Sequence, residues 1–134
     1  MFTRRRFTQS LAAGLALSSM PKLARADEPR KRIAFIGTDV FLHSHAQHFL
    51  DRFSMGYAMG GRWRAPAVDV AGVYIDQFNE QDIGRQRIER YGHQLYPSVT
   101  DALTLGGSTL AVDGVVIIGE HGNYPKNDKG QTLY

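Results

Sequence analysis

Residues 32–37, Arg-Ile-Ala-Phe-Ile-Gly, form a short apolar run that follows charged residues and ends at a glycine. A run of this length with β-branched and aromatic side chains predicts a strand buried on both faces. Residues 68–75 are rich in valine and predict a second strand, and residues 95–96 predict a very short third one. Residues 115–118, Val-Val-Ile-Ile, belong to the most continuously apolar run and predict a central parallel strand.

Helical segments are expected between these strands. Ser44 and Gln47 have the spacing of a capping box, as do Ser98 and Asp101, and both pairs precede apolar residues. Residues 62–66 read as an irregular connection. We predict three helices, which begin near residues 44, 82 and 98 and end at Gly60-Gly61, Gly92 and Gly106-Gly107.

Strands that alternate with helices predict an α/β fold class, with a Rossmann-like parallel sheet and helices on both faces. Right-handed crossovers give the strand order 3-2-1-4. In that order the last apolar strand is an unprotected edge, which complete domains normally cover. We therefore expect a sheet that is incomplete at the C-terminus, with residues 27–134 as the N-terminal part of a Rossmann-like domain.

Residues 1–26 have the three zones of a secretory signal peptide, which are basic, mildly apolar and small in turn. The stretch Thr3-Arg4-Arg5-Arg6-Phe7 resembles the twin-arginine signal. The apolar zone, residues 11–17, is far too short to span a bilayer. We predict a mature chain that begins at Asp27, export by the twin-arginine pathway to a periplasmic or extracytoplasmic location, and no stable membrane insertion afterwards.

The charge balance argues against a nucleic-acid-binding protein. The chain has 16 Lys and Arg residues and 13 Asp and Glu residues, but five of the basic residues lie in residues 1–26, which hold no acid. The remaining 11 basic and 13 acidic residues leave a net charge of −2, whereas sequence-independent phosphate binding needs a concentrated cationic face. A small-molecule substrate is the expected partner, nucleic acid is not, and homo-oligomerisation stays open.

The candidate site follows from the predicted topology. In an open parallel sheet, ligands bind outside the carboxyl ends of the strands where the strand order reverses, here between the first and last strands. The loop after the last strand contributes His121 and Glu120 as candidate catalytic residues, because an imidazole in a crevice can transfer protons near neutral pH. The candidate cofactor-binding residues are Gly37, Thr38, Asp39, Ser44, Asp76 and Gly119.

Over residues 30–122 the pattern resembles the nucleotide-binding domain of the glucose-fructose oxidoreductase and inositol dehydrogenase family. The shared features are the first strand, an aspartate after the second, residues 96–103 (Tyr-Pro-Ser-Val-Thr-Asp-Ala-Leu) and residues 112–118 (Val-Asp-Gly-Val-Val-Ile-Ile). The resemblance implies NAD or NADP as cofactor and a sugar or polyol as substrate. It also implies that the catalytic lysine and the substrate domain lie downstream, and some family members are exported with the dinucleotide bound.

The chain departs from that family pattern in three places. The fingerprint Gly-x-Gly-x-x-Gly has no second or third glycine after Gly37, and residues 119–122, Gly-Glu-His-Gly, replace a Thr-Pro-Asn-like turn. Asp76 lies 39 residues beyond Gly37, against about 20 in the usual ribose-binding spacing. A phosphate would then bind the amide groups that open the Ser44 helix, where free donors and the helix dipole favour an anion.

Two other functions stay open from the residues. One is a non-catalytic ligand-binding or interaction module that has kept the fold and lost the glycine fingerprint. The other is a metal-dependent hydrolase, because imidazole and carboxylate groups together suit zinc. We assign no metal ligands, since His45 and His48 lie opposite the apolar helix face and are expected to be solvated. The residues that this hydrolase would use are Asp39, His43, His45, His48, Glu120 and His121.

Overall fold

Three parallel strands form the main sheet, and two further strands form a separate hairpin. The computed structural model describes residues 29–133, so the predicted signal peptide and the predicted start of the mature chain lie outside the described residues. The elements in chain order are β1 (Lys31–Gly37), α1 (His45–Met55), β2 (Tyr57–Met59), β3 (Arg62–Arg64), β4 (Val68–Ile75), α2 (Gly84–Tyr91), α3 (Val99–Thr104) and β5 (Gly114–Ile118).

β1 is the centre of the main sheet, whose order is β4-β1-β5. It pairs with β4 along its whole length, with an irregularity between Ile33 and Ala34, and with β5 from Ile33 to Gly37. The predicted third strand is reduced to a single parallel bridge between Val73 and Leu95 on the far side of β4. The α/β class is therefore confirmed, and so is the predicted order of the first, second and last strands.

Helices cover both faces of this sheet because successive side chains of a strand point to opposite sides. On one side Phe35 of β1 belongs to a buried cluster with Leu50 of α1 and Ile88 of α2. On the other side Ala34 and Ile36 pack with Ala102 of α3. No helix among residues 29–133 combines the length and the apolar character that a bilayer crossing requires.

β5 is an edge strand of the described sheet, which is the place that the predicted order 3-2-1-4 gives it, and the expected central position is not observed within residues 29–133. It pairs with β1 alone, and its burial alternates along the strand. Val116 and Ile118 pack against the cluster under α1 and α2, whereas Val115 is 44% exposed and Ile117 is 70% exposed. The reason is the position of α3, which packs over β1 and β4 and leaves this face of β5 uncovered within residues 29–133.

The first helix ends five residues earlier than predicted. α1 stops at Met55 because Gly56 takes φ 94° and donates its amide to Arg52 O at 2.9 Å. Gly60 and Gly61, with φ 59° and 70°, instead form the two-residue turn of the hairpin, and positive φ at both central residues is what the tight hairpin turn requires. Residues 62–66, predicted as an irregular connection, therefore begin with strand β3.

The other two helices agree with their predictions. α2 ends at Gly92, which has φ 69°, and α3 begins at Ser98, whose hydroxyl accepts the Asp101 amide at 3.0 Å and donates to the Asp101 carboxylate at 2.6 Å. Ser44 caps α1 in a similar way by accepting the Gln47 amide at 3.1 Å. The Gln47 side chain, however, reaches back to the amide of His43 instead of that of Ser44.

Candidate functional site at the carboxyl edge

The carboxyl ends of β4, β1 and β5 lie side by side and are called the carboxyl edge below. The Thr38 amide donates to Ile118 O at 3.1 Å, and the Asp76 amide donates to Gly37 O at 3.0 Å. These bonds continue the two strand pairings beyond β1 and bring the predicted residues of all three strands to one edge. The residues placed there are Gly37, Thr38, Asp39, Asp76, Gly119, Glu120 and His121.

Asp39 is a buried carboxyl group just beyond the end of β1. Its Oδ2 accepts a hydrogen bond from Asn79 Nδ2 at 3.0 Å, and its Oδ1 has no partner among residues 29–133. Burial raises the pKa of Asp39, although the charge of His121 and the bond from Asn79 act in the opposite direction. Asp39 is thus a poorly solvated acid under the carboxyl edge rather than an exposed ligand.

Asp76 is exposed at the end of β4, and two tyrosines hold its carboxylate. The Tyr124 and Tyr74 hydroxyls each donate to it at 2.8 Å, and these two bonds lower the pKa of Asp76. The carboxylate is therefore ionised and oriented, as a group that binds a ribose hydroxyl pair must be. A ribose bound there would share the Asp76 carboxylate with the Tyr74 and Tyr124 hydroxyls.

Residues 119–124 return from β5 across the carboxyl edge to β4. The Asn123 amide donates to Gln77 Oε1 at 2.9 Å, and Tyr124 reaches Asp76. Gly122 lies so close to Thr38 that a side chain at this position would overlap it. This segment covers part of the crevice that the predicted topology leaves open, and sequence reasoning did not identify Tyr124 as part of the site.

A cavity of about 380 Å³ lies next to Asp76. Its walls are largely aromatic or apolar and come from the end of β4, the turn that follows, and the stretch around the Val73–Leu95 bridge. A flat aromatic ring fits the chemistry of such walls, since aromatic side chains stack on aromatic ligands. The lining residues are Tyr74, Ile75, Asp76, Phe78, Leu95, Tyr96 and Pro97.

Glu120 and His121 meet the first residue of α1, His45. His45 Nδ1 and Glu120 Oε2 are in hydrogen-bond contact, and His121 Nε2 lies 3.5 Å from the same oxygen. Their three potential ligand atoms all lie within 4.8 Å of one another. We call these residues the His-Glu-His cluster. Sequence reasoning named all three side chains among the residues of the metal-dependent alternative but did not single out these three.

Ser44 and the other two histidines of this region take different positions. Ser44 is buried, and its hydroxyl already accepts hydrogen bonds from the amides of Gln47 and Phe41. The lone pairs of this hydroxyl therefore serve the backbone, and donors to an anion would come from its own O–H and from the amides at the start of the helix. His43 and His48 have their rings 6.3 Å apart and do not belong to the His-Glu-His cluster.

A second cavity, of about 630 Å³, lies away from the carboxyl edge between α1 and the hairpin. Phe49, Phe53 and Tyr57 contribute to its walls, together with residues 65–68. Sequence analysis did not anticipate it, because it predicted no hairpin. In comparisons with known protein families, with curated proteins and with solved structures, no match to this chain was found.

Proposed function

We propose that this chain is the Rossmann-like, nicotinamide-dinucleotide-binding part of an exported oxidoreductase that acts with a further domain on a sugar or polyol. The observation that carries the proposal is Asp76, an ionised carboxylate at the carboxyl edge, beside a cavity with aromatic walls. This pairing suits a nucleoside, because the carboxylate can accept hydrogen bonds from the ribose and the cavity can enclose the base. The twin-arginine signal and the family resemblance supply the location and the substrate class.

The rest of the dinucleotide would extend along the carboxyl edge from β4 towards β5. Its pyrophosphate would pass the start of α1, where the first amides of a helix, here including that of His45, lack partners within the helix. Around Gly119, apart from its chain neighbours, no atom of the described chain lies within 4 Å of where a Cβ would stand. A flat ring can therefore approach the backbone at the end of β5.

The protein residues would bind and orient this cofactor, and when bound the nicotinamide would supply the hydride chemistry. Glu120 and His121 lie at the end of β5 and are our candidates for moving a proton to or from the substrate. Asp76 also favours NAD over NADP, because its negative charge would repel a 2′-phosphate.

Binding of NAD by the exported protein, measured through the fluorescence of NADH and by calorimetry, tests the proposal. We expect saturable binding, and Asp76→Asn should weaken it about tenfold, which is about 1.4 kcal/mol and within the range for hydrogen bonds to a charged group. Asp69→Asn is the matched control. Asp69 lies on the same strand at the opposite end of the sheet, where it pairs with Arg30.

Absence of NAD and NADP binding at millimolar concentration would overturn the proposal. The same holds if the two aspartate variants weakened binding equally. In that case the non-catalytic ligand-binding module becomes the better description, and one observation already favours it. Residues 119–124 cross the carboxyl edge and hold Asp76 through Tyr124, so part of the dinucleotide path is filled by the protein itself.

A further inference from the structure

We propose that the His-Glu-His cluster binds one divalent transition-metal ion, with His45 Nδ1, Glu120 Oε2 and His121 Nε2 as its ligands. This site shares Glu120, His121 and the start of α1 with the proposed dinucleotide path, and in it Glu120 and His121 would hold the ion instead of moving a proton themselves. It uses the start of α1 and the loop after β5, whereas the nucleoside would lie beside β4. Three protein ligands leave at least one coordination position for water or a substrate oxygen.

The spacing of the ligand atoms fits a metal of this kind. In a tetrahedral zinc site with bonds near 2.0–2.1 Å, neighbouring ligand atoms are separated by about 3.3 Å. His121 Nε2 and Glu120 Oε2 are 3.5 Å apart, and all three atoms lie within 4.8 Å of one another. The three groups are therefore close enough to share one ion after small adjustments of their side chains.

The protein holds the cluster in place from two sides. His45 is fixed by its position as the first residue of a capped helix. His121 takes a left-handed backbone conformation with φ 65°, which is uncommon for a residue other than glycine and is retained where surrounding contacts enforce it. The edge of Phe41 packs against the His121 imidazole, with ring centroids 5.3 Å apart at 75°. These contacts fix the backbone of His45 and orient the His121 imidazole before any ion arrives.

The donor set selects the class of metal. Two imidazole nitrogens and one carboxylate oxygen suit zinc and its first-row neighbours, whereas calcium and magnesium prefer oxygen ligands throughout. The three side chains are 64%, 47% and 52% exposed, so water can reach the open coordination position. An exposed position of this type is found in catalytic zinc sites, while structural sites are closed by four protein ligands.

Without a metal the cluster would be an ordinary surface ion pair. Exposed pairs of this kind contribute little to stability, because water screens them and ordering the side chains costs entropy. A surface ion pair and a metal site differ in one measurable respect. Only the metal site binds one ion per chain through these three residues.

The test is a zinc titration of the untagged protein after treatment with a chelator, followed by calorimetry and in the absence of nucleotide. We expect one zinc ion per chain and a rise in the unfolding temperature with zinc concentration, since an ion that binds only the folded state stabilises it. Glu120→Gln and His121→Asn should each weaken zinc binding by at least about tenfold, the smallest effect reported for losing even an outer-shell partner of a metal site. Asparagine suits position 121 because it tolerates the left-handed conformation.

His48→Asn is the matched control, since His48 is an exposed histidine of the same helix outside the cluster. Zinc binding should be unchanged in this variant. The proposal fails if the wild-type protein binds no zinc, or if Glu120→Gln binds zinc as tightly as the wild type. It also fails if loss of His48 weakens binding as much as loss of His121. None of these outcomes depends on whether the protein binds NAD.

Discussion

At the scale of single residues, the carboxyl edge contains two aspartates with opposite electrostatic situations. Asp76 is stabilised as an anion by two tyrosine hydroxyls, which lower its pKa. Asp39 is buried, with one carboxylate oxygen unpaired, and burial raises its pKa. An ionised Asp39 therefore works against folding, while an ionised Asp76 supports it.

Asp39→Asn should make the protein more stable at pH 7, by on the order of 1 kcal/mol, because the neutral amide removes a charge that burial disfavours. The folded-state pKa of Asp39 lies above the unfolded value, near 3.8. The contribution of the Asp39 carboxyl group to folding stability is therefore fully present below the unfolded-state pKa. It is lost as the pH rises through the folded-state pKa. The gain from the substitution should accordingly be small near pH 3.5. Urea unfolding at pH 7 and near pH 3.5 measures this gain in the free energy of unfolding.

Asp113→Asn provides a control of opposite sign for this experiment. Asp113 accepts the Arg32 amide at 2.8 Å and the Lys31 ammonium at 3.2 Å, and these bonds lower its pKa. The contribution of Asp113 to folding stability is present above the unfolded-state pKa and is lost as the pH falls through the folded-state pKa. Asp113→Asn should therefore be less stable than the wild type at pH 7. An equal gain from Asp39→Asn at both pH values would contradict our account of Asp39.

The residues at the strand ends could be predicted from the sequence, whereas their partners could not. Gly37 and Asp76 follow directly from where apolar runs stop, because parallel strands all end at the same edge. Tyr124 becomes part of the site only because residues 119–124 fold back across that edge. The meeting of His45 with Glu120, 75 positions apart, has the same origin. Local patterns contain no information about such long-range contacts.

At the scale of elements, β4 and α3 approach each other closely at Gly72. A Cβ on this glycine would lie 2.6 Å from Ala102 O and 3.0 Å from Leu105 Cδ2. The glycine is therefore required by packing rather than by its backbone angles. It allows the short helix α3 to lie directly on the strand and to cover the Ala34 and Ile36 face of the sheet.

Gly72→Ala should destabilise the protein by about 1–3 kcal/mol, the usual cost of overfilling a packed interior. Gly114→Ala is the matched control on β5, since a Cβ there would lie in ordinary contact with Ile33 Cγ2 at 3.7 Å. Alanine also loses less chain entropy than glycine, so the control should be neutral or slightly stabilising. Thermal unfolding of the two variants, side by side, distinguishes them. Equal stability would show that α3 can move away from β4 without cost.

The hairpin shows why the end of the first helix was misplaced in the sequence analysis. Apolar residues continue at helical spacing as far as Tyr57, so the periodicity gives no sign of a stop at Met55. The actual stop depends on Gly56, whose neighbours Arg64 and Trp63 come from the returning strand β3. Trp63 also donates its indole N–H to Met55 O at 3.1 Å. The end of the helix is thus determined by tertiary packing.

At the scale of the whole molecule, the described sheet has one apolar edge. Val115 and Ile117 of β5 expose their side chains, and β5 has no neighbour on its outer side within residues 29–133. Exposed edge strands with high β-propensity are templates for pairing with other chains. The first consequence is a tendency of the partly unfolded protein to aggregate through β5.

Ile117→Lys should slow aggregation on heating and change the free energy of unfolding by no more than about 0.5 kcal/mol, as for other surface substitutions. A lysine on an edge strand disfavours pairing with another strand. Leu110→Lys is the control, because Leu110 is also 70% exposed but lies outside the strands. Light scattering during a temperature ramp measures the rates. The same protection by both lysines would point to net charge rather than to the edge of β5.

The central position of β1 also has a consequence for synthesis. β1 is the first strand of the described chain, yet both of its neighbours come later, and Arg32 meets Asp113 across 81 positions. Contacts this distant in sequence slow folding, because the chain must close a long loop before any pairing is gained. While the ribosome is still adding the residues of β5, the nascent chain carries β1 without one of its two partners. We therefore expect the pairing of β1 with β5, and with it the last part of the described sheet, to form only after β5 has emerged.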